Sequence, residues 1–371
     1  MKKAIIFYPH IGEYGGIERN IIALATEVLK KGHTPVLVCF YDHINMSKYL
    51  DGLVTVQIGD HLIPFVKSFR IKKWLAQNKN EVVGLPFFFG GKAGFYGAFF
   101  SKNYVLHYTD PPSLLSSNLK EIGLKRWISA FRSRISDQIT HNGVHNAQVC
   151  ITMTNWNARE LETLYGRSFD VVYQGGLPPL SIINEAKRCT NETLLIFSIS
   201  RLTASKNLDW ILEAVQHLKN NIPLIGGDVK KIEVVIAGSG PQFDHLKKLS
   251  EKLDINELVC FPGFLTEAQV DEEYHRADLF LVPARQGFGL PILEALYRNV
   301  PVVINKESRI SELLTNNPWV AISDNTSESF KKTVVKHILA LRKQYPDNSI
   351  LSTLPTEQGW AVEIGNKCQW W

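Results

Sequence analysis

The sequence predicts an α/β protein made of two Rossmann-like domains with parallel sheets. Three observations predict it. The length, 371 residues, is enough for two domains with a core each. Near the N-terminus an apolar run, a glycine loop, an amphipathic segment and a second apolar run follow in the order of a βαβ unit. The same alternation restarts at Thr193 and continues to Ile304, after a Gly/Pro-rich break that opens at Gly175. An apolar content of 45% with 21% charged residues is that of a globular chain rather than a disordered one.

In the first domain, residues 1–175, Ala4 to Tyr8 and Val36 to Phe40 read as buried strands. Between them Pro9 to Gly16 is a loop ending in Gly15-Gly16. Ile17, Ile21, Leu24, Ala25 and Val28 then recur at helical spacing as far as Lys31, and Gly32 ends the helix. The loop lacks Gly-x-Gly-x-x-Gly, so dinucleotide binding has no support. Leu62 to Gln77 and Leu119 to Ile139 read as basic amphipathic helices carrying Trp and Phe. That composition suits an interfacial helix, and it suits a core helix with a solvated basic face. Glu81 to Phe88 predicts a strand, Lys92 to Lys102 a helix, and Asn103 to Tyr108 a strand. His107 at the end of that strand stands where parallel sheets bind ligands, although lone histidines are commonly structural. Val149 to Met153, Asn155 to Tyr165 and Val171 to Tyr173 read as strand, helix and strand. Residues 176–192 are the expected linker.

The second domain, residues 193–350, begins with a strand from Thr193 to Ser200. Arg201 and Lys206 bracket the loop that follows, where two cations can neutralise a diphosphate; plain surface charge has the same spacing. Ile232 to Ala237 leads into Gly238-Ser239-Gly240-Pro241, and Leu258 to Phe261 leads into Pro262-Gly263-Phe264. After a helix from Glu267 to Ala277 comes the stretch on which the domain is organised. Leu279 to Val282 is a buried strand, Gln286-Gly287-Phe288-Gly289 a turn, and Leu290-Pro291 the start of a helix. Free N–H groups and the positive end of the helix dipole make such a turn an anion site. Glu294, about one turn in, can accept hydrogen bonds from sugar hydroxyls. Pro301 to Ile304 reads as a strand, and Ile310 to Leu314 and Ser327 to Arg342 as helices. Residues 351–371 read as a terminal helix.

Gly287-Phe288-Gly289-Leu290-Pro291 with Glu294 resembles the signature of glycosyltransferase family 4, the retaining nucleotide-sugar transferases of GT-B fold. Three loops match in order over residues 193–304, and the resemblance runs over nearly the whole chain. It implies two Rossmann-like domains whose parallel sheets face a central cleft. The N-terminal domain would stand on the acceptor side, and the terminal helix would cross back onto it. The resemblance implies donor contacts from Gly15, Gly16, Arg201, Lys206, Gly238, Phe264, Gln286, Gly287, Phe288, Gly289, Leu290 and Glu294. Its catalytic positions are His107, Arg201, Lys206 and Gln286. One position departs from the pattern: the first of the two family glutamates is Gln286, whose amide is uncharged and a very poor nucleophile. The implied co-substrate is a UDP-hexose, UDP-glucose or a relative. The implied acceptor is a glycan or lipid-linked sugar in polysaccharide or glycolipid biosynthesis. No cofactor and no metal are expected, and no Asp-x-Asp occurs. Two rival readings stay open: a nucleotide-sugar epimerase of the same fold, and a nucleotide-sugar binder without transferase activity.

Charge is unevenly spread. Residues 1–170 carry 20 Lys and Arg against 13 Asp and Glu, while the remainder carry 21 against 23. The basic half is matched to an anionic membrane surface or a phosphate-bearing acceptor, or it is a scattered solvated surface. A net charge of +5 does not call for nucleic acid. The five cysteines are widely spaced, without a Cys-x-x-Cys pair, which fits a reducing compartment. The N-terminal apolar run is too short for a signal peptide, and no run is long enough to span a bilayer. The expectation is a cytoplasmic protein, peripheral on the inner membrane face.

Overall fold

The computed structural model describes residues 1–99, 103–109, 124–179, 192–222 and 229–371, with the backbone alone over 124–134. The chain divides into two units, Met1–Gln174 with Pro355–Trp371, and Gly175–Leu354.

Strands covered on both faces are continuous apolar runs rather than alternating ones. In the first unit such runs form Lys3–Phe7 (β1), Thr34–Cys39 (β3), Phe87–Phe89 (β6), Val105–His107 (β7) and Val149–Thr152 (β8). His10–Ile11 (β2) and Tyr41–Asp42 (β4) pair with each other apart from the main sheet. Val54–Gln57 (β5) and Asp170–Val171 (β9) are the edges. The main sheet is parallel throughout, in the order β5-β3-β1-β6-β7-β8-β9. Its order reverses between β1 and β6, and a crevice at the C-terminal strand ends is the ligand position of such sheets.

Helix Gly16–Lys30 buries Ile21, Leu24, Ala25 and Val28 on one face of the sheet. The same core takes Trp360, Ala361, Ile364, Cys368 and Trp370 from helix Glu357–Lys367 and the residues after it. Strands β2, β4 and β5 have no counterpart in the sequence expectation, β9 is shifted from the expected Val171 to Tyr173, and three further elements change their bounds. The strand expected over Glu81–Phe88 shortens to β6, because Gly84 turns through φ +58 and Pro86 has no N–H to give a ladder. Leu85 N–H instead donates to the carbonyl of Cys368, at 2.7 Å. The helix expected from Lys92 spans Gly91–Gly97, and residues 100–102 lie outside the described residues. The helix expected over Leu119–Ile139 spans Leu124–Asn146; its start and its basic face, Lys120 to Arg134, lie outside the described side chains. So do Asp110-Pro111-Pro112 and most of the expected linker, residues 180–191.

The second unit repeats the pattern. Its strands are Thr193–Ile199 (β10), Lys231–Ala237 (β11), Val259–Cys260 (β12), Leu279–Val282 (β13), Val302–Asn305 (β14) and Val320–Ser323 (β15). They form a parallel sheet in the order β12-β11-β10-β13-β14-β15, with the reversal between β10 and β13. All four residues of β13 are buried. β15 has no counterpart in the sequence reading.

Candidate functional site

In the second unit the loops after β10, β11, β12 and β13 hold one another at the reversal point. The β11 loop passes so close to the β10 loop that only glycine fits. Gly238 has φ +123, and a Cβ there would lie 1.9 Å from the carbonyl oxygen of Ser200. Leu202 N–H donates to Ser239 O at 2.9 Å, and Gln242 N–H to Leu202 O at 3.0 Å. Gly238 N–H donates to Gly263 O at 2.7 Å, which ties in the β12 loop and brings Phe264 to its rim, 82% exposed. The β13 loop is joined by Arg285 N–H to Ser205 O at 2.9 Å and by the Asn207 amide to Pro283 O at 2.9 Å.

These bonds bring Lys206 and Gln286 together. Lys206 Nζ donates to Gln286 Oε1 at 2.7 Å, and Gln286 Nε2 donates to Ser308 Oγ at 3.0 Å. The backbone of Gln286 is fixed as well, its N–H on Glu307 O and its carbonyl accepting from Arg309 N–H, each at 3.2 Å. Gly289 caps helix Leu290–Tyr297 at φ +104, and a Cβ there would lie 2.2 Å from Gln286 Nε2. The glycine is required by that left-handed backbone, and its bare Cα also leaves room for the Gln286 amide. Gly287 and Phe288 are buried and Leu290 is half-buried, so this turn offers backbone more than side chain. Arg201 is exposed on the β10 loop.

Glu294 is buried, with Oε2 accepting from the Tyr274 hydroxyl and Oε1 from Leu177 N–H, both at a long 3.4 Å. Gly176 packs against it so tightly that a Cβ would lie 2.9 Å from Glu294 Cγ. Arg298 fastens the same segment. Its guanidinium donates to Asp271 Oδ1 at 2.6 Å, to Leu177 O at 3.1 Å and to Pro178 O at 3.2 Å. Sequence reasoning missed Ser308, Tyr274 and Arg298. Ser308 had one available signal, its place in the loop after a strand neighbouring β13.

The other expected site residues lie in the first unit. Gly15 caps helix Gly16–Lys30 with its N–H donated to Glu18 Oε2 at 3.1 Å. Burial pushes the Glu18 carboxyl above its usual range. His107 is fully buried, its ring edge-on to Phe89 at 5.0 Å and near Trp360 at 6.2 Å. Neither ring nitrogen has a hydrogen-bond partner, and burial pushes the imidazole down to about 3, so it is neutral at pH 7.

Next to it a cavity of about 720 Å³ opens at the C-terminal ends of β1, β6 and β7, lined by Tyr8, Phe89, Phe95, Tyr96 and Tyr108. Its polar lining comes from His10, Lys92, Thr109, Ser136, Asp137 and Thr140. Behind His10, Lys67 is nearly buried, paired with Asp60 and stacked over the Phe40 ring at 5.1 Å. Lys67 Nζ lies 3.5 Å from His10 Nε2. Burial, then Lys67, holds the His10 ring below its ordinary range. Among the described residues no cluster of three or more His, Cys, Asp or Glu could hold a metal ion, and no helix is long and apolar enough to cross a membrane.

Residues 182–344 match the family described as glycosyl transferases group 1, so the second unit carries a domain of that kind. A stretch of 134 residues is 28% identical to an uncharacterized glycosyltransferase of Methanocaldococcus jannaschii, covering 35% of this chain and 32% of that protein. A stretch of 128 residues is 26% identical to alpha-monoglucosyldiacylglycerol synthase of Streptococcus pneumoniae, covering 34% and 27%. These alignments span about a third of the relatives' length. A longer alignment, 22% identical over 331 residues, joins the chain to the phosphatidylinositol N-acetylglucosaminyltransferase gpi3 subunit of Schizosaccharomyces pombe, covering 84% and 66%. Among solved structures, WaaG, a glycosyltransferase involved in lipopolysaccharide biosynthesis, is similar with a TM-score of 0.71 at 14% identity, covering 98% and 99%. HepE of Anabaena in complex with UDP is similar with a TM-score of 0.69 at 16% identity, covering 99% of both chains. At such identities the likeness is one of fold: two Rossmann-like α/β units with parallel sheets, as in the GT-B glycosyltransferases.

Proposed function

We propose that the chain is a retaining glycosyltransferase of family 4. It would move a hexose from a UDP-sugar to a glycan or lipid-linked acceptor, without a metal. The observation that carries this reading is the joined loop system of the second unit. Lys206 is bonded to Gln286 directly beside the glycine-capped start of helix Leu290–Tyr297, with Glu294 one turn into that helix. A departing nucleoside diphosphate needs its negative charge stabilised where it develops. Lys206, Arg201 and the Gly287–Gly289 amides are the groups for it, and Glu294 suits the ribose hydroxyls. HepE, similar in fold, binds UDP, which supports that base. Two relatives are named for diacylglycerol and phosphatidylinositol glycosylation, which supports a lipid-linked acceptor.

In the proposed reaction the bond from the anomeric carbon to the β-phosphate oxygen breaks, giving an oxocarbenium-like centre. The acceptor oxygen then bonds to that carbon from the same face, and its proton passes to the departing phosphate. Gln286 forms no covalent intermediate; its part is to hold Lys206.

The test is a thermal-shift panel of nucleotide sugars, followed by turnover with lipid-linked acceptors and determination of the product anomer. A ligand at 100 times its Kd raises stability by about 2.7 kcal/mol. UDP-hexoses should shift the melt, and Glu294→Ala should weaken UDP binding at least tenfold, given about 1.5–3 kcal/mol per charged hydrogen bond. Unchanged affinity in a folded Glu294→Ala variant removes that role, and an inverted product removes the retaining mechanism.

A further inference from the structure

The first unit's cavity has a polarity of its own. Its basic side chains come from two strand ends, and Lys67 beside them is already paired with Asp60. His10 follows β1 and Lys92 follows β6, with Lys67 behind His10. Lys67 Nζ lies 3.5 Å from His10 Nε2, and burial, then Lys67, holds the ring below its ordinary range. Lys92 is exposed at the wall, and no ion pair to it occurs among the described residues. The hydroxyl-reading groups come from other elements. Thr109 follows β7, and Ser136, Asp137 and Thr140 lie on helix Leu124–Asn146, which leads into β8. Helix Leu124–Asn146 packs against helix Gly91–Gly97, where a Cβ on Gly94 would lie 3.9 Å from Thr140 Cγ2, so Lys92 and the hydroxyl-bearing residues line one continuous wall. Aromatic side chains line the rest.

We propose that this cavity takes a sugar unit carrying an anionic substituent, a phosphate or a carboxylate, as the acceptor of the reaction above. The inference rests on the transferase reading. A carboxylate flanked by hydroxyl side chains accepts from and donates to the hydroxyls of a hexose. Aromatic walls cover the apolar face of its ring. An anionic sugar forms a charge-assisted hydrogen bond with the Lys92 ammonium, which a neutral sugar does not. The volume lies within the range of about 300–1,000 Å³ typical of small-molecule sites.

The experiment titrates the full chain, saturated with UDP so that the donor groups are occupied, with glucose, glucose 1-phosphate and glucuronate at constant ionic strength. One charge-assisted bond corresponds to roughly a tenfold preference. At least one of the anionic sugars should bind about tenfold tighter than glucose, and which one does identifies the substituent. Lys92→Ala should bring the anionic sugars to within about twofold of glucose, and Lys92→Arg should keep the preference; thermal melts of both variants check that they fold. Equal binding of all three sugars, no sugar binding, or a preference that survives Lys92→Ala overturns the proposal. If UDP binds and the anionic preference is absent, the pocket assignment fails and the transferase reading stands. If UDP fails to bind while the Lys92-dependent preference is present, the transferase reading fails and the pocket remains.

Discussion

Gln286 makes two hydrogen bonds that a glutamate could not make in the same way. Its carbonyl oxygen accepts from Lys206 and its amide nitrogen donates to Ser308. A carboxylate would turn the first into an ion pair and could only accept in the second. Gln286→Glu is therefore expected to weaken UDP binding several-fold, because a carboxylate beside Lys206 offsets the charge offered to the diphosphate. UDP titrations at low and high salt measure it, and equal or tighter binding would contradict the positioning argument. Turnover is expected from the native chain, and mass spectrometry of reacting enzyme should find no glycosyl group on residue 286. His107 carries a prediction of another kind. Burial pushes its pKa from the ordinary 6.5 down to about 3 in the folded chain. Above pH 6.5 it is neutral folded and unfolded, and contributes nothing to the pH dependence. Below that the unfolded chain takes up a proton that the folded chain refuses. Stability therefore falls with decreasing pH, by up to about 1.4 kcal/mol per unit, until the pH nears 3. His337 in the second unit, pushed down to about 4 by burial, acts with the same sign. Melting temperatures between pH 7.5 and 5 should show the decline, and His107→Phe should make it shallower.

At the scale of elements, legibility follows where the deciding residues lie. Helix Gly16–Lys30 carries its own stop, Gly32 at φ +77, and β13 its own apolar run, so both are readable in place. Elements decided by distant partners are not. β6 is short because the chain's last residues take the backbone before it, and β15 exists because it pairs with β14 beside a buried Trp319. The site divides likewise. The glycine turn and Glu294 announce themselves as a local pattern. Ser308 is recognisable only once β14 is placed beside β13 and its loop beside Gln286. His107 illustrates the opposite case: its strand-end position is legible, and its full burial among Phe87, Phe89 and Trp360 is not. Helix Pro64–Asn78 supplies an element-scale prediction. Phe65 and Phe69 are 53% and 65% exposed, the preceding Leu62 is 99% exposed, and Lys72 and Lys73 are exposed nearby. Apolar and cationic groups together suit an anionic bilayer surface. Flotation with phosphatidylglycerol vesicles should exceed that with neutral vesicles and weaken with salt. Phe69→Ser with Lys72→Glu should reduce it. Equal recovery on neutral lipid would remove the membrane assignment.

At the scale of the whole molecule, the chain leaves the first unit at Gln174 and returns to it at Pro355. The returning segment is part of that unit's core. Trp360 and Trp370 are almost wholly buried among Ile21, Leu24, Val28 and Phe89. Trp370 Nε1 also donates to Leu85 O at 2.9 Å. A chain ending at Leu354 would expose the face of helix Gly16–Lys30 that those rings cover. Large-to-small changes at buried tryptophan cost about 3–5 kcal/mol, a large part of the roughly 5–15 kcal/mol by which domains are stable. Trp370→Ala is therefore expected to lower the melting temperature of the first unit, and truncation after Leu354 to unfold it. The second unit has its own core and holds every donor group named above except Gly15 and Gly16 between Gly175 and Leu354. In the truncated chain, hydrogen exchange should reveal loss of protection in β1, β3 and helix Gly16–Lys30, with protection retained in β10, β11 and β13. UDP should still stabilise what remains. Loss of protection in both units together would mean that they fold as one cooperative body, and that the returning helix supports the donor site as well as the core it enters.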